Sequence, residues 1–294
     1  MTKVVTVLVT FNPDLTLLNQ SVDNLLLQTD KVIICDNSDG SLNADYLPKD
    51  ERIIIISHGK NIGIAAAQSV GMEIAFVKEN ADFVLQMDQD SLAKPDMVEQ
   101  LLSAYNELTA HNVKVGLVGA QDFDRYTNEV NKARVKKGKP VVQNHYMQVS
   151  CTLSSGSLIV KDAWMAVGGM ADELFIDAVD HEYCWRLQRA GFQVVRNTRA
   201  LLGHRLGDGK FKILNILNVG MPSPFRHYYA VRNALILMRR NYVPVYWKLS
   251  SLAKILFKWV VYPVFLPDGK KRLIFITQGI WDGLRNRTGE YGKR

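Results

Sequence analysis

The sequence predicts an α/β fold built on a largely parallel sheet with helices on both faces. Three observations point to it: near-continuous apolar strand runs, helical runs alternating with them, and polar residues where those strands stop. Residues 3–10 (KVVTVLVT) form a β-branched run broken by Asn12-Pro13. Leu15, Leu17, Leu18, Val22, Leu25 and Leu26 then recur at helical spacing. The unit repeats: Val32-Ile33-Ile34-Cys35 ends in Asp36-Asn37-Ser38-Asp39-Gly40, and Ile53–Ile56 leads through Asn61-Ile62-Gly63 into an Ala-rich helix from Ile64 to Val77. Phe83-Val84-Leu85-Gln86-Met87 stops at Asp88, and Pro95 opens another helix. From residue 121 to 150 the pattern weakens, and Arg134, Lys136, Lys137 and Lys139 read as a solvated loop. Ser154 to Val160 reads as a strand led by small residues, with a helix near Ala163. Ligands of such sheets gather at the carboxyl ends of the strands, where Thr10, Asp36, Asn61 and Asp88 all fall.

Composition narrows the class. With 294 residues, 47% apolar and 22% charged, the chain can bury a core and is neither disordered nor collagen-like. Three cysteines far apart, with no CxxC pair, exclude a disulfide scaffold and a Cys-ligated zinc, and fit a reducing compartment. The N-terminus carries no secretory pattern and no 18-residue uncharged apolar run occurs, so a cytosolic protein without a spanning helix is expected. The absence of GxGxxG after the first strand and of GxxxxGK[ST] weighs against dinucleotide and ATP chemistry.

Charge is divided sharply. Residues 1–242 carry 26 Lys+Arg against 26 Asp+Glu, whereas residues 243–294 carry 10 against 3, so the whole net charge of +7 lies in the tail. That distribution predicts a neutral catalytic-sized body, 1–242, and a basic helical extension, 243–294, and gives no reason to invoke nucleic acid. Lys248, Ser251, Lys254 and Lys258 form a basic stripe on a helix that also carries Trp247, Leu252, Leu256, Phe257 and Trp259. With Lys270-Lys271-Arg272 after it, this helix suits an anionic membrane surface. A homodimer contact, or docking on the protein's own core, is the alternative.

Two carboxylates two residues apart, Asp88 and Asp90, follow a wholly apolar strand. They either decorate a solvated loop or share a cation, and hard oxygen ligands suit Mg²⁺ or Mn²⁺ with a substrate phosphate completing the shell. Asp177, Asp180 and Glu182 border a helical run, where they complement the helix dipole or serve chemistry.

These pieces, in order, resemble family 2 glycosyltransferases of the GT-A fold, and more narrowly the bacterial rhamnosyltransferases of surface polysaccharide (O-antigen and capsule) synthesis. The likeness rests on Val9-Thr10-Phe11-Asn12-Pro13, Asp36-Asn37-Ser38, Asn61-Ile62-Gly63-Ile64-Ala65, Asp88–Asp90 and Ser155-Gly156-Ser157. It continues through Phe175 to Glu182, Cys184, Arg186, His204, Tyr228-Tyr229 and Arg232-Asn233, covering roughly residues 4–240.

The resemblance implies a metal-dependent inverting transferase. Thr10, Asp36 and Asn61 would line the nucleotide pocket, Asp88 would face the nucleotide sugar, and Asp90 and His204 would hold the metal. Asn61 is equally a helix cap, and His204 equally a packing residue. Asp180 would be the general base; Val179 precedes it where the family more often has Glu, which keeps Asp177 and Glu182 as alternatives. Arg226 and Arg232 would clamp phosphate through paired guanidinium hydrogen bonds, unless Arg232 only braces its helix. The implied donor is dTDP-L-rhamnose, with UDP-galactofuranose as an alternative, and the implied acceptor is a lipid-linked saccharide at the inner face of the cytoplasmic membrane. A nucleotide-sugar-binding regulator without catalysis is the reading from another class.

Overall fold

Seven apolar or β-branched residues, all buried, form strand β1 (Val4–Thr10), the run a strand needs when both its faces are covered. A computed structural model describes residues 2–40, 42, 45, 47–125, 129–130, 138–204, 210–213, 217–220 and 222–292, with 204, 210–213 and 217–220 described by backbone alone. Asp14 caps helix α1 (Leu15–Leu26), its Oδ1 accepting from the amides of Thr16 at 2.9 Å and Leu17 at 3.2 Å. β2 (Lys31–Asp36), β3 (Ile53–Ser57), α2 (Ile64–Glu73) and β4 (Phe83–Asp88) follow, α2 continuing through a π-helical turn at Ile74–Lys78. β3, β2, β1 and β4 lie side by side and parallel. Thr10 is in register with Asp36, and Val9 with both Cys35 and Asp88, so the polar strand ends meet at one edge.

The other half of the sheet is mixed, which corrects the largely parallel arrangement expected from sequence. After β5 (Leu92–Ala93) and α3 (Met97–Ala110) come β6 (Val115–Asp124), β7 (Lys139–Val141) and β8 (Gln143–Gln148). β9 (Ser157–Val160) then runs antiparallel between β4 and β6. It starts at the carboxyl end of β4, where the Gly156 amide donates to Gln86 O at 2.8 Å, and so runs back along that strand. Helices α4 (Lys161–Val167) and α5 (Val179–Arg189) precede β10 (Gln193–His204), parallel to β6 and antiparallel to β5 and β8. Among the described residues the sheet has ten strands, ordered β3-β2-β1-β4-β9-β6-β10-β8-β7 with β5 beside β10. Lys139 opens β7, while Arg134, Lys136 and Lys137 lie outside the described residues.

Beyond a small hairpin, β11 (Lys210–Ile213) with β12 (Leu217–Gly220), three helices close the chain: α6 (Pro224–Met238), α7 (Val245–Phe265) and α8 (Gly269–Leu284). Val231, Ala234, Ile255, Tyr262, Leu266 and Ile276 make a core of their own between them. α8 approaches α6 closely because Gly279 faces it; a Cβ there would lie 2.6 Å from the Tyr228 carbonyl oxygen. Residue 242 falls in the loop between α6 and α7, and packing groups α6 with the two later helices. Among the described residues no helix is long and apolar enough to cross a membrane.

Candidate active site

Asp36 organises the ends of β1 and β2. Its Oδ1 accepts from Thr10 Oγ1 at 3.0 Å, Ser38 Oγ at 2.6 Å and Ser38 N at 3.1 Å, and its Oδ2 from the Leu42 amide at 2.8 Å. Burial resists the charge, but the hydrogen bonds outweigh it and hold the carboxyl below its usual range. Thr10 and Asp36 are wholly buried, so they shape the wall of the site from behind. Asn37, which sequence reasoning passed over, ties this edge to the next loop: its Nδ2 donates to Gly63 O at 3.1 Å and its Oδ1 accepts from Ile62 N at 3.3 Å. Asn61 accepts from the Gly63 amide at 2.9 Å, a local turn at the start of α2.

Asp88, the last residue of β4, and Asp90, just beyond it, are half-buried. The Asp88 amide donates to Ser155 Oγ at 3.1 Å, and that hydroxyl lies 3.0 Å from Ser91 Oγ. Between them Gln89 locks the end of β1, accepting from Phe11 N at 2.6 Å and donating to Phe11 O at 3.2 Å. Among the described residues no group of three metal-ligating side chains forms, and the His204 side chain lies outside them. The two carboxylates are hard oxygen donors, the kind of ligand that Mg²⁺ or Mn²⁺ takes alongside water.

The second cluster is the turn before α5. Phe175, Asp177 and Ala178 have left-handed backbones, with φ of 64°, 68° and 64°. Each such non-glycine residue costs on the order of 1 kcal/mol or more, so neighbours must hold the turn. Asn233 of α6 does so, its Nδ2 shared among the carbonyls of Leu174 at 3.0 Å, Ile176 at 2.6 Å and Asp177 at 2.9 Å. Arg232 adds bonds to Leu174 O at 2.9 Å and Gly289 O. The phosphate clamp expected of Arg232 is thereby corrected: its guanidinium is wholly buried and occupied by main-chain carbonyls, and it braces the turn. Phe175 stacks on Tyr229 at 5.2 Å and crowds Gly63, where a Cβ would lie 2.7 Å from the Phe175 ring and 2.8 Å from its carbonyl oxygen. Gly63, at φ 90°, thus joins this turn to the strand-end cluster.

Asp180 occupies the first turn of α5. Its Oδ1 accepts from the His181 amide at 2.8 Å and pairs with His181 Nδ1 at 3.0 Å. Burial opposes charge on both groups, yet the pairing prevails: the Asp180 carboxyl is held low and the His181 imidazole is held high. Glu182, expected as an alternative base, is buried among Arg186 at 2.9 Å, Arg240 at 2.8 Å and Tyr242 Oη at 2.5 Å, which makes it an anchor for α5. Asp177, the other alternative, pairs through Oδ1 with Arg226 at 2.7 Å. Its Oδ2 is buried without a hydrogen bond among the described residues. Arg226 therefore stands beside the Asp180 turn.

A cleft of about 340 Å³ opens against Asp180, closed on its far side by Trp247, Ser251, Lys254 and Lys258 of α7. This corrects the expected membrane-facing stripe. Lys254 and Lys258 face the cleft, Lys248 Nζ donates to Arg240 O at 2.7 Å, and Arg272 is buried against Pro267 O and Pro222 O. The side of α7 turned to solvent is apolar, with Leu249, Leu252, Leu256 and Val260 exposed.

A family model, glycosyl transferase family 2, matches residues 6–159, just over half of the chain. The dTDP-rhamnosyl transferase RfbF of Shigella flexneri is 31% identical over 293 residues, 96% of each chain. Among solved structures, GalNAc-T7 with UDP, GalNAc and Mn²⁺ superposes with a TM-score of 0.59 at 10% identity, over 97% of this chain and 56% of that one. S. aureus TarS 1–349 in complex with UDP-GlcNAc gives 0.57 at 14% identity, over 95% and 81%. A longer S. aureus TarS chain gives 0.54, and this protein spans 44% of it. These structural likenesses carry the fold alone, and the fold is GT-A-like: a mixed sheet flanked by helices, with helices at the C-terminus.

Proposed function

The chain belongs to glycosyl transferase family 2 and is a glycosyltransferase; from that premise we propose that it transfers L-rhamnose from dTDP-L-rhamnose, with inversion, to a lipid-linked saccharide. The observation that carries the donor choice is the 31% identity to a dTDP-rhamnosyl transferase across 96% of both chains. Asp180 is the proton acceptor in this reading. Inversion needs one carboxylate at the attacking hydroxyl, on the face of the sugar opposite the leaving diphosphate. A carboxyl held low by His181 is ionised at neutral pH and ready for that proton, and both His181 bonds fall on Oδ1, which fixes its orientation.

On the other side of the reaction, Asp88 and Asp90 would hold Mg²⁺ or Mn²⁺, which supplies positive charge for the leaving diphosphate. Asp36, Asn37 and Gln89 keep the nucleotide-side loops in shape through the hydrogen bonds described above.

The test is protection against thermal unfolding followed by turnover. A ligand at 100 times its dissociation constant stabilises by about 2.7 kcal/mol, so dTDP-L-rhamnose should raise the melting temperature where UDP-galactofuranose does not. The reverse result replaces the donor. Protection without transfer in Mn²⁺ turns the protein into a nucleotide-sugar-binding regulator, and a rate indifferent to EDTA removes the metal. Work at the inner face of the cytoplasmic membrane is part of the same reading, supported by the exposed apolar side of α7 and by exposed Lys270 and Lys271. Leu252→Ser/Leu256→Ser should reduce co-sedimentation with anionic vesicles. If it instead abolishes self-association seen by light scattering, that face is a homodimer contact.

A further inference from the structure

Helix α7 presents two opposed faces. Trp247, Ser251, Lys254 and Lys258 share the side lining the cleft with Asp177, Asp180 and His181, whereas Leu249, Leu252, Leu256 and Val260 project on the other. The charges around the cleft do not cancel. Asp180 is paired with His181 and Asp177 with Arg226, which leaves Lys254 and Lys258 with no ion pair among the described residues. Lys258 is half-buried, and that burial pushes its ammonium pKa down, with Asp177 only partly opposing. A desolvated cation and a second one a helical turn away, beside the reacting carboxylate, form a surplus of two positive charges.

We propose that this cleft is the acceptor subsite and that Lys254 and Lys258 hold a phosphate group of an amphiphilic acceptor, delivered from the apolar side of α7. The assignment rests on Asp180 as the base. The diphosphate that joins a lipid to a saccharide carries about two negative charges at neutral pH, as does a simple phosphate monoester such as farnesyl phosphate; that matches the surplus, and two ammonium groups a turn apart on one helix face suit its separate oxygens. The C-terminal helices then complete the site, because the acceptor cleft has no far wall without α7.

The probes are farnesyl phosphate, farnesol and inorganic phosphate, titrated into the full chain and followed by calorimetry and by the fluorescence of Trp247 in the cleft wall. Farnesyl phosphate should bind more tightly than either other probe. Lys254→Met and Lys258→Met should each weaken it on the order of tenfold, and the double variant about a hundredfold, as expected for charge-assisted hydrogen bonds. Methionine keeps an apolar stem of similar length, and the circular dichroism spectrum checks the fold. Should the double variant unfold, Lys254→Met alone, at an exposed position, decides. Equal binding of farnesol, or wild-type affinity in the lysine variants, overturns the proposal; equal binding of inorganic phosphate assigns the lysines to free phosphate and overturns the acceptor role. No turnover is needed for this readout, so failure to use dTDP-L-rhamnose would refute the donor reading separately.

Discussion

The strand-end cluster and the turn before α5 are held in opposite ways. Asp36 draws three of its four hydrogen bonds from Ser38 and Leu42, within six residues, and the fourth from Thr10 on the adjoining strand. The turn at 174–178 is held by Arg232 and Asn233, 56 to 59 residues away, and Glu182 at the start of α5 by Arg240 and Tyr242. A locally satisfied loop keeps its shape when distant packing loosens. A turn with three left-handed residues does so less well: its own main-chain bonds, Phe175 N to Asp172 O at 3.0 Å and Ile176 N to Leu174 O at 2.8 Å, are set against strain at three positions, and the distant side chains supply the rest. Damage to the C-terminal helices should therefore appear at the turn before α5 sooner than at the strand-end cluster.

The largest expected effect separates the two regions by chemistry. Asp180→Asn keeps the shape but cannot accept a proton, so transfer should fall by about 10²- to 10⁴-fold while calorimetry finds nucleotide affinity intact. Equal losses in both would mean that the regions are not separable. Next comes Asn233→Ala, which strips the shared partner from three carbonyls. Leu174 O keeps Arg232, and the two part-buried acceptors left unmet, Ile176 O and Asp177 O, each fall toward the lower end of about 1–3 kcal/mol, so urea unfolding should show a loss of roughly 2–4 kcal/mol, with kcat falling and donor KM steady. A stable variant with normal kcat would show that the turn holds itself.

Gly63→Ala probes the joint between the regions. Its Cβ would press on Phe175 from a left-handed backbone, so about 1–3 kcal/mol of stability should go, and donor affinity and rate should fall together. Loss of only one of them would place the joint elsewhere. The smallest effect is in the pH profile. A base acts when deprotonated, and the Asp180 carboxyl is held low, so the acid limb of kcat/KM should lie below the usual carboxylate value of about 3.9. His181→Gln removes the neighbouring charge and should move that limb up; an unmoved limb would assign it to another group.

How much of this was readable in the chain follows from the range over which each feature is determined. Apolar runs, their helical alternation and the polar stops at Thr10, Asp36 and Asp88 are patterns of a few residues, and they alone place these polar strand ends at one sheet edge. The pattern weakens over residues 121–150 because β8, QNHYMQ, is half exposed and largely polar, and gains its place only by pairing with β10 and β7. Arg232 is chemically as apt for phosphate as for carbonyls. The fold decided the matter by burying it beneath residues 174 and 289. The spacing of Lys254 and Lys258 determined that they share a helix face, but the rotation of α7 against α6 and α5, set by the packing of Ile255 and Tyr262, decided that this face looks at Asp180. Local periodicity acts through neighbours on the chain, whereas the braces and the cleft come from side chains that meet only after the chain has closed on itself.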